Sequence, residues 1–203
     1  LTLGAFAQAA GVRTVVLTDA VNTVTAGAYT TAMTVDAKAS TNKLDTMTLS
    51  SGDDTIIFDG TTGLEDGDII NTGTGTDTIS LDNSAAAVTI VVDMDDTTNF
   101  EKIVVADADG ADATQQNITV TFAAIAAATV QNIELDASAI TDVNDDLMVT
   151  NSAASTTTTF TIKGGAGDDT IAGSNGNDTL TGNGGIDTIT TNAGVDIVNG
   201  GAG

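Results

Sequence analysis

Short runs in which apolar and polar residues alternate recur along most of this 203-residue chain. VTIVVDM (88–94), EKIVVAD (101–107), ITVTF (118–122), NIELDA (132–137), LMVTN (147–151) and TFTIK (159–163) each read as a strand with one apolar face, because successive strand side chains point to opposite sides. TVVLT (14–18) and TAMTV (31–35) are similar. Two longer units answer each other at a distance of about 30: VTIVVDM followed by NFEKIVV, then ITVTFAA followed by VQNIELD. The one helix-prone stretch, Phe122 to Val130, is a short alanine run without a cap. Short, evenly spaced strands without a helical period predict stacked coils, an all-β chain built as a parallel β-solenoid or β-roll.

From Gly164 the pattern tightens to a nine-residue period: GGAGDDTIA (164–172), GSNGNDTLT (173–181), GNGGIDTIT (182–190), TNAGVDIVN (191–199), then GGAG (200–203). Asp holds the sixth place (Asp169, Asp178, Asp187, Asp196), an aliphatic the eighth (Ile171, Leu180, Ile189, Val198) and Gly the fourth (Gly167, Gly176, Gly185, Gly194). A degenerate version lies earlier. Asp45 and Asp54 are nine apart, as are Asp68 and Asp77, with Gly52 and Gly75 in the fourth place before Asp54 and Asp77. An insertion from roughly Phe58 to Gly63 breaks the phase between the two pairs. The chain thus divides into a β-rich segment with degenerate repeats (1–81), irregular solenoid coils (82–163) and a repeat block (164–203) that stops mid-motif. It starts without Met and reads as an internal piece of a longer protein.

Each nonapeptide is six turn residues and a three-residue strand that points one aliphatic inward. Burying one aliphatic stabilises by about 1.5–3 kcal/mol. Ordering the backbone costs about 1–2 kcal/mol per residue. The core alone therefore does not hold the block together. If two nonapeptides close one coil, Asp169 faces Asp187 and Asp178 faces Asp196. Two bare carboxylates ~4 Å apart repel by about 4 kcal/mol at an effective dielectric of 20. Such a column calls for cations between its members. Carboxylate plus turn carbonyls is a hard, all-oxygen set that suits Ca2+ better than zinc or copper, and its flexibility suits Ca2+ better than Mg2+. An Asp/Gly turn ladder without metal is the plainer alternative.

Composition narrows the chemistry. The formal net charge is −23, and three of 28 acidic residues are Glu, so 25 are Asp. Asp favours turns where Glu favours helix. A polyanion of this kind does not bind nucleic-acid phosphates. With no Cys and no His there is no disulfide, thiol nucleophile, imidazole base or ordinary zinc site, and no enzyme is expected. No apolar run approaches the ~20 residues of a membrane helix. The five cations (Arg13, Lys38, Lys43, Lys102, Lys163) are scattered. Asp93, Asp95 and Asp96, and Asp107, Asp109 and Asp112, read as solvated loop residues rather than EF-hand ligands, lacking the bidentate Glu at the twelfth place. Asn99 and Glu101, and Asn132 and Glu134, occupy similar places in the two long units and read as side-chain bonds between coils.

Residues 164–199 resemble the RTX (hemolysin-type) calcium-binding repeat GGxGxDxUx, with Gly164, Gly165, Gly167, Asp169 and Ile171 all in place. The resemblance implies a parallel β-roll with several Ca2+ ions between successive turns. It implies one site from Gly165, Gly167 and Asp169 with Gly182, Gly184 and Asp187. A second would use Ser174, Gly176 and Asp178 with Thr191, Ala193 and Asp196. A third would begin with Asn183, Gly185 and Asp187 and take Gly200 and Ala202. Ser174, Asn183, Thr191 and Ala193 depart from Gly, which is tolerable for carbonyl ligands but strains the turn. Asp54 and Asp77 are weaker candidates; they, Asp45 and Asp68 read equally well as solvated turn residues.

The Thr/Ala/Asp/Gly-rich composition and interspersed repeat blocks are similar to type I-secreted bacterial surface-layer proteins. That resemblance implies an extracellular structural subunit, folded by Ca2+ and self-associating into a lattice or fibre, with cell-surface polysaccharide as a further candidate partner. The alternatives are an adhesin module, invited by outward Thr rows, or the calcium-binding module of a secreted enzyme or toxin.

Overall fold

The computed structural model describes all residues except 41–43, 60–63, 65–66, 84–86, 94–96, 108–116, 124–130 and 152–155. The described strands pair in parallel and wind as successive coils of a solenoid. One wall is a nine-stranded sheet of β1 (Thr14–Val16), β3 (Thr34–Asp36), β5 (Thr55–Asp59), β7 (Thr78–Asn83), β10 (Lys102–Asp107), β12 (Asn132–Asp136), β14 (Thr159–Lys163), β16 (Thr179–Thr181) and β18 (Ile197–Asn199), in that spatial order. The opposite strands form two sheets. β2 (Thr23–Thr25), β4 (Thr46–Thr48), β6 (Ile69–Asn71) and β9 (Thr97–Thr98) make the first. β8 (Ala87–Asp93), β11 (Asn117–Ala123), β13 (Asp146–Asn151), β15 (Thr170–Ala172) and β17 (Thr188–Thr190) make the second. A single turn of helix, α1 (Ala5–Ala9), precedes them.

The alternation seen in sequence sets the core. Val15, Val35, Ile56, Ile79, Ile103, Leu135, Ile162, Leu180 and Val198 stack in one register column through all nine strands. All but Val198 are buried. Their flanking column runs Thr14, Thr34, Thr55, Thr78, Lys102, Glu134, Thr161, Thr179, Ile197. Successive members of that column lie furthest apart in sequence between Lys102 and Glu134, and closest from Thr161 to Thr179 to Ile197. The solenoid therefore widens in the middle and is narrowest at its C-terminal end. The wide coils carry longer strands with more inward residues: β11 buries Ile118, Val120 and Phe122, whereas β15 buries only Ile171. The rings of Phe122 and Phe160 meet at 4.7 Å across the wide coils.

Two expectations need adjustment, and a third lies mostly outside the described residues. Phe58 is not in an insertion: it lies in β5, fully buried, in register with Leu81. Its inward position extends the alternation begun at Ile56. Glu101 and Glu134 are offset by one, since Lys102, not Glu101, pairs with Glu134. Both nevertheless bond between coils: Glu101 Oε2 accepts the Asp77 amide at 2.8 Å, and Glu134 accepts Lys163 Nζ at 2.6 Å. The helix-prone run Phe122 to Val130 lies outside the described residues from 124 onward, as do Asp95, Asp96, Asp109 and Asp112.

Lys102 and Lys163 bracket Glu134 and Asp136, with Nζ–O distances of 2.6–3.5 Å. The Lys163 bond holds Glu134 below the usual carboxylate range. Burial pushes Asp136 up, but its bonds from Ser138 and Lys102 and the charge of Lys163 prevail and bring it down to about 2.

Candidate metal centre

In the repeat block each coil advances the sequence by two nonapeptides, which brings equivalent turn positions into line: Thr170 pairs with Thr188 and Thr179 with Ile197. Asp169 therefore sits above Asp187, and Asp178 above Asp196. The two carboxylates do not oppose each other bare. Asp187 Oδ1 accepts the peptide N–H of Asp169 at 3.0 Å, and Asp196 Oδ1 accepts that of Asp178 at 2.9 Å. These amides give the column a partner that residue spacing alone does not predict. A peptide N–H lies between successive carboxylates and is a favourable partner for each.

The upper Asp of each pair is held on both oxygens. Asp169 Oδ1 accepts Leu147 N and Oδ2 accepts Gly165 N, both at 2.8 Å. Asp178 accepts Phe160 N at 2.7 Å and Ser174 N at 2.6 Å. Each is only 1% exposed. Burial raises Asp169 to about 6 despite those amides, and burial also pushes Asp178 above its ordinary value. Asp187 differs: its Oδ2 is buried and has no hydrogen-bond partner. A carboxylate oxygen out of water and unpaired is costly, and a bound cation is one remedy.

The invariant fourth-place glycine has a steric cause. A Cβ on Gly167 would fall 2.2 Å from Asp145 O, on Gly176 2.1 Å from Thr158 O, on Gly185 2.2 Å from Gly167 O and on Gly194 2.0 Å from Gly176 O. Backbone of one coil rests directly on carbonyl oxygens of the coil before. Gly185 and Gly194 also have φ of 91° and 126°, where L side chains are strained.

The departures from Gly at the second place are not merely tolerated. Asn183 and Asn192 adopt φ of 78° and 61°, a left-handed conformation that asparagine takes more readily than most residues. Their amides donate to Gly164 O at 2.7 Å and Gly173 O at 2.6 Å, one coil earlier. Ser174 Oγ donates to Thr158 O at 2.8 Å and accepts Gly176 N at 2.9 Å. Side-chain bonds between coils offset the strain expected from sequence.

The structure gathers each set of sequence-predicted ligands at one gap between coils. In the first, Gly165 O accepts Gly184 N at 3.1 Å, Gly182 O lies against Gly164, and Asp169 and Asp187 flank them. In the second, Gly176 O underlies Gly194 and Thr191 O lies near Gly173, with Asp178, Asp196, Ser174 and Ala193 in the same two turns. In the third, Asn183 O accepts Ala202 N at 2.7 Å, Ala202 O accepts Gly185 N at 3.2 Å, and Gly200 O lies against Gly182. Several of these carbonyls are thus already engaged by amides, leaving one lone pair each for an ion. Among the described residues no group of three or more acidic side chains is placed to hold a metal ion. A cation here would be held by two carboxylates and peptide carbonyls, an all-oxygen set that fits Ca2+ and not Zn2+.

Sequence reasoning missed a second ladder at the fifth place. Asp146 Oδ1 accepts Asp168 N at 3.0 Å, Asp168 Oδ1 accepts Ile186 N at 2.7 Å, and Asn177 Oδ1 accepts Val195 N at 2.8 Å. The signal was present in the doublets Asp145-Asp146, Asp168-Asp169 and Asn177-Asp178.

No curated protein and no solved structure matches the chain. A family model, the RTX calcium-binding nonapeptide repeat in four copies, matches residues 161–189 and 172–203. The C-terminal coils of this all-β parallel solenoid are a block of RTX calcium-binding nonapeptide repeats.

Proposed function

We propose that this chain is a structural, non-catalytic extracellular protein, a bacterial surface-layer or matrix subunit whose folding and assembly are driven by Ca2+. RTX repeat proteins are typically secreted, and a type I route would deliver the chain unfolded to millimolar Ca2+ outside the cell. The ions bind in the three gaps that Gly165–Asp169, Ser174–Asp178 and Asn183–Asp187 form with the equivalent turns of the following coil. Binding there supplies folding energy that the thin core lacks. Subunits then associate with one another, and cell-surface polysaccharide is the candidate anchor.

One observation carries the reading. The aliphatic column from Val15 to Val198 runs without interruption from wide coils into the repeat block. The block is therefore a continuation of a long solenoid, as suits a building element, rather than a separate appendage to another domain. No helix among the described residues is long and apolar enough to cross a membrane. The adhesin alternative draws on the outward column Thr14–Thr34–Thr55–Thr78, which gives way to Lys102 in the next coil.

Electron microscopy of purified chain with Ca2+ and with chelator tests this. Sheets or filaments that disperse on chelation are expected. Isolated rods under both conditions would overturn the assembly claim and favour an adhesin or enzyme-associated module.

A further inference from the structure

The turns at 49–54 and 72–77 lie outside the family match and belong to a longer coil. Asp54 stacks on Asp77 at a sequence separation of 23, where Asp169 stacks on Asp187 at 18. Even so, these turns reproduce the gap between 164–169 and 182–187 bond by bond. Asp77 Oδ1 accepts Asp54 N at 2.7 Å, as Asp187 Oδ1 accepts Asp169 N at 3.0 Å. Ser50 O accepts Thr74 N at 2.8 Å, as Gly165 O accepts Gly184 N at 3.1 Å. Asp53 Oδ1 accepts Thr76 N at 2.9 Å, as Asp168 Oδ1 accepts Ile186 N at 2.7 Å. Asp54, like Asp169, is held on both oxygens, by Met33 N at 2.8 Å and Ser50 N at 3.3 Å. A Cβ on Gly75 would fall 2.5 Å from Gly52 O, as one on Gly185 would fall 2.2 Å from Gly167 O.

The decisive likeness is the defect. Asp77 is 0% exposed, and its Oδ2, like that of Asp187, is buried without a hydrogen-bond partner. The neighbouring Thr72 hydroxyl donates to Asn99 O at 2.6 Å. Ser50 Oγ is buried and unpartnered as well. The extra length of the coil falls between Asp54 and Asp68, so it leaves the turn geometry intact.

We propose that this gap is a further Ca2+ site, held by the carboxylates of Asp54 and Asp77 and by carbonyls among Ser50, Gly52, Thr72 and Thr74. It would make calcium a ligand of the N-terminal coils as well as of the repeat block. The proposal rests on the calcium reading of that block, whose geometry it borrows. The Asp45–Asp68 pair shares the amide bond, Asp45 N to Asp68 Oδ1 at 2.8 Å, but has no such glycine turn among the described residues.

Tyr29 provides a local probe. It is the chain's one tyrosine, there is no tryptophan, and its carbonyl accepts Ser51 N at 3.4 Å from the adjoining coil. Strand spacing puts the repeat block about 24 Å away, five strands along the sheet from β5 to β16. Tb3+ added to the full chain in place of Ca2+ should give tyrosine-sensitised emission that Ca2+ displaces. Tyr29→Phe should abolish the emission yet keep the Ca2+ count by native mass spectrometry. Asp77→Asn should abolish it and lose one Ca2+ per chain, whereas Asp187→Asn should keep it. Absent emission in the parent chain, or emission unchanged in Asp77→Asn, would overturn the site. Because the comparison of parent with Tyr29→Phe does not need Asp77→Asn to fold, the test survives an unstable variant. A Ca2+ count unchanged in Asp187→Asn would instead count against the repeat-block reading.

Discussion

The wide coils at 102–163 and the narrow coils at 164–199 share one sheet and one aliphatic column, yet they are held together differently. In the wide coils the strands are long enough to bury two or three side chains each, and Phe122 packs on Phe160. In the narrow coils β15 and β16 bury one aliphatic each, Ile171 and Leu180, while Ile189 is only partly buried and Val198 is exposed. Their turns compensate with glycine-mediated backbone packing, Asp-to-amide bonds and Asn amides reaching the coil before. Apolar burial is indifferent to ions, whereas a lattice of carboxylates and carbonyls is not. On the proposed reading, the apolar middle coils stand without calcium and the C-terminal coils depend on it.

Removing Ca2+ should separate the two most sharply. Hydrogen exchange in chelator should show amides of 164–199 losing nearly all protection while those of β10, β12 and β14 keep theirs. Uniform loss, or none, would break the comparison. Next in size, Phe122→Ala should cost about 3–5 kcal/mol, as for other large-to-small core changes. That cost should be the same with and without Ca2+, read from denaturant melts. Gly185→Ala should cost about 3 kcal/mol, from φ strain and overpacking together. Its effect should centre on the repeat block, whereas Gly27→Ala, which meets nothing within 4 Å, should be near neutral.

Acidity should act in opposite senses on the ion-free and ion-loaded chain. Burial raises Asp169 and Asp77 to about 6, so the fold holds protons that the unfolded chain has released. The contribution of these two carboxyls to ion-free stability should therefore be greatest below the unfolded carboxylate range and fall as pH rises from about 4 through 6, opposite in sign to that of Asp136. With Ca2+ bound the carboxylates must be ionised, so stability should rise over the same window. Thermal melts in metal-stripped and in Ca2+ buffers check the sign, and parallel curves would contradict it. Smallest, Asn183→Ala should cost about 1 kcal/mol by losing its amide bond to Gly164 O. A Gly at 183 should recover part of that by relieving the positive φ.

Much of this was legible in the order of residues alone. Alternation located β8 and β10 through β14 closely, because a strand half-buried against a core must alternate. The nine-residue period implied a coil of two nonapeptides, and with it the alignment of Asp169 on Asp187 and Asp178 on Asp196. The earlier Asp pairs were less legible because their longer coil falls out of step with the nine-residue period. The fifth-place ladder was overlooked because its signal is a doublet of Asp or Asn with Asp, which also reads as plain solvation.

The sequence by itself determined the period, the inward residue of each strand and the oxygen chemistry of the turns. These depend only on local spacing and side-chain type. Tertiary structure decided what each carboxylate faces. Whether Asp178 meets another carboxylate, a peptide N–H or an empty gap depends on the position of the neighbouring coil to within an ångström or so. It also decided that Asp77 and Asp187, far apart in the chain, each present one buried and unpartnered oxygen in the same frame of amides. Burial and hydrogen-bond direction arise only when coils stack, so no spacing rule along a single chain contains them.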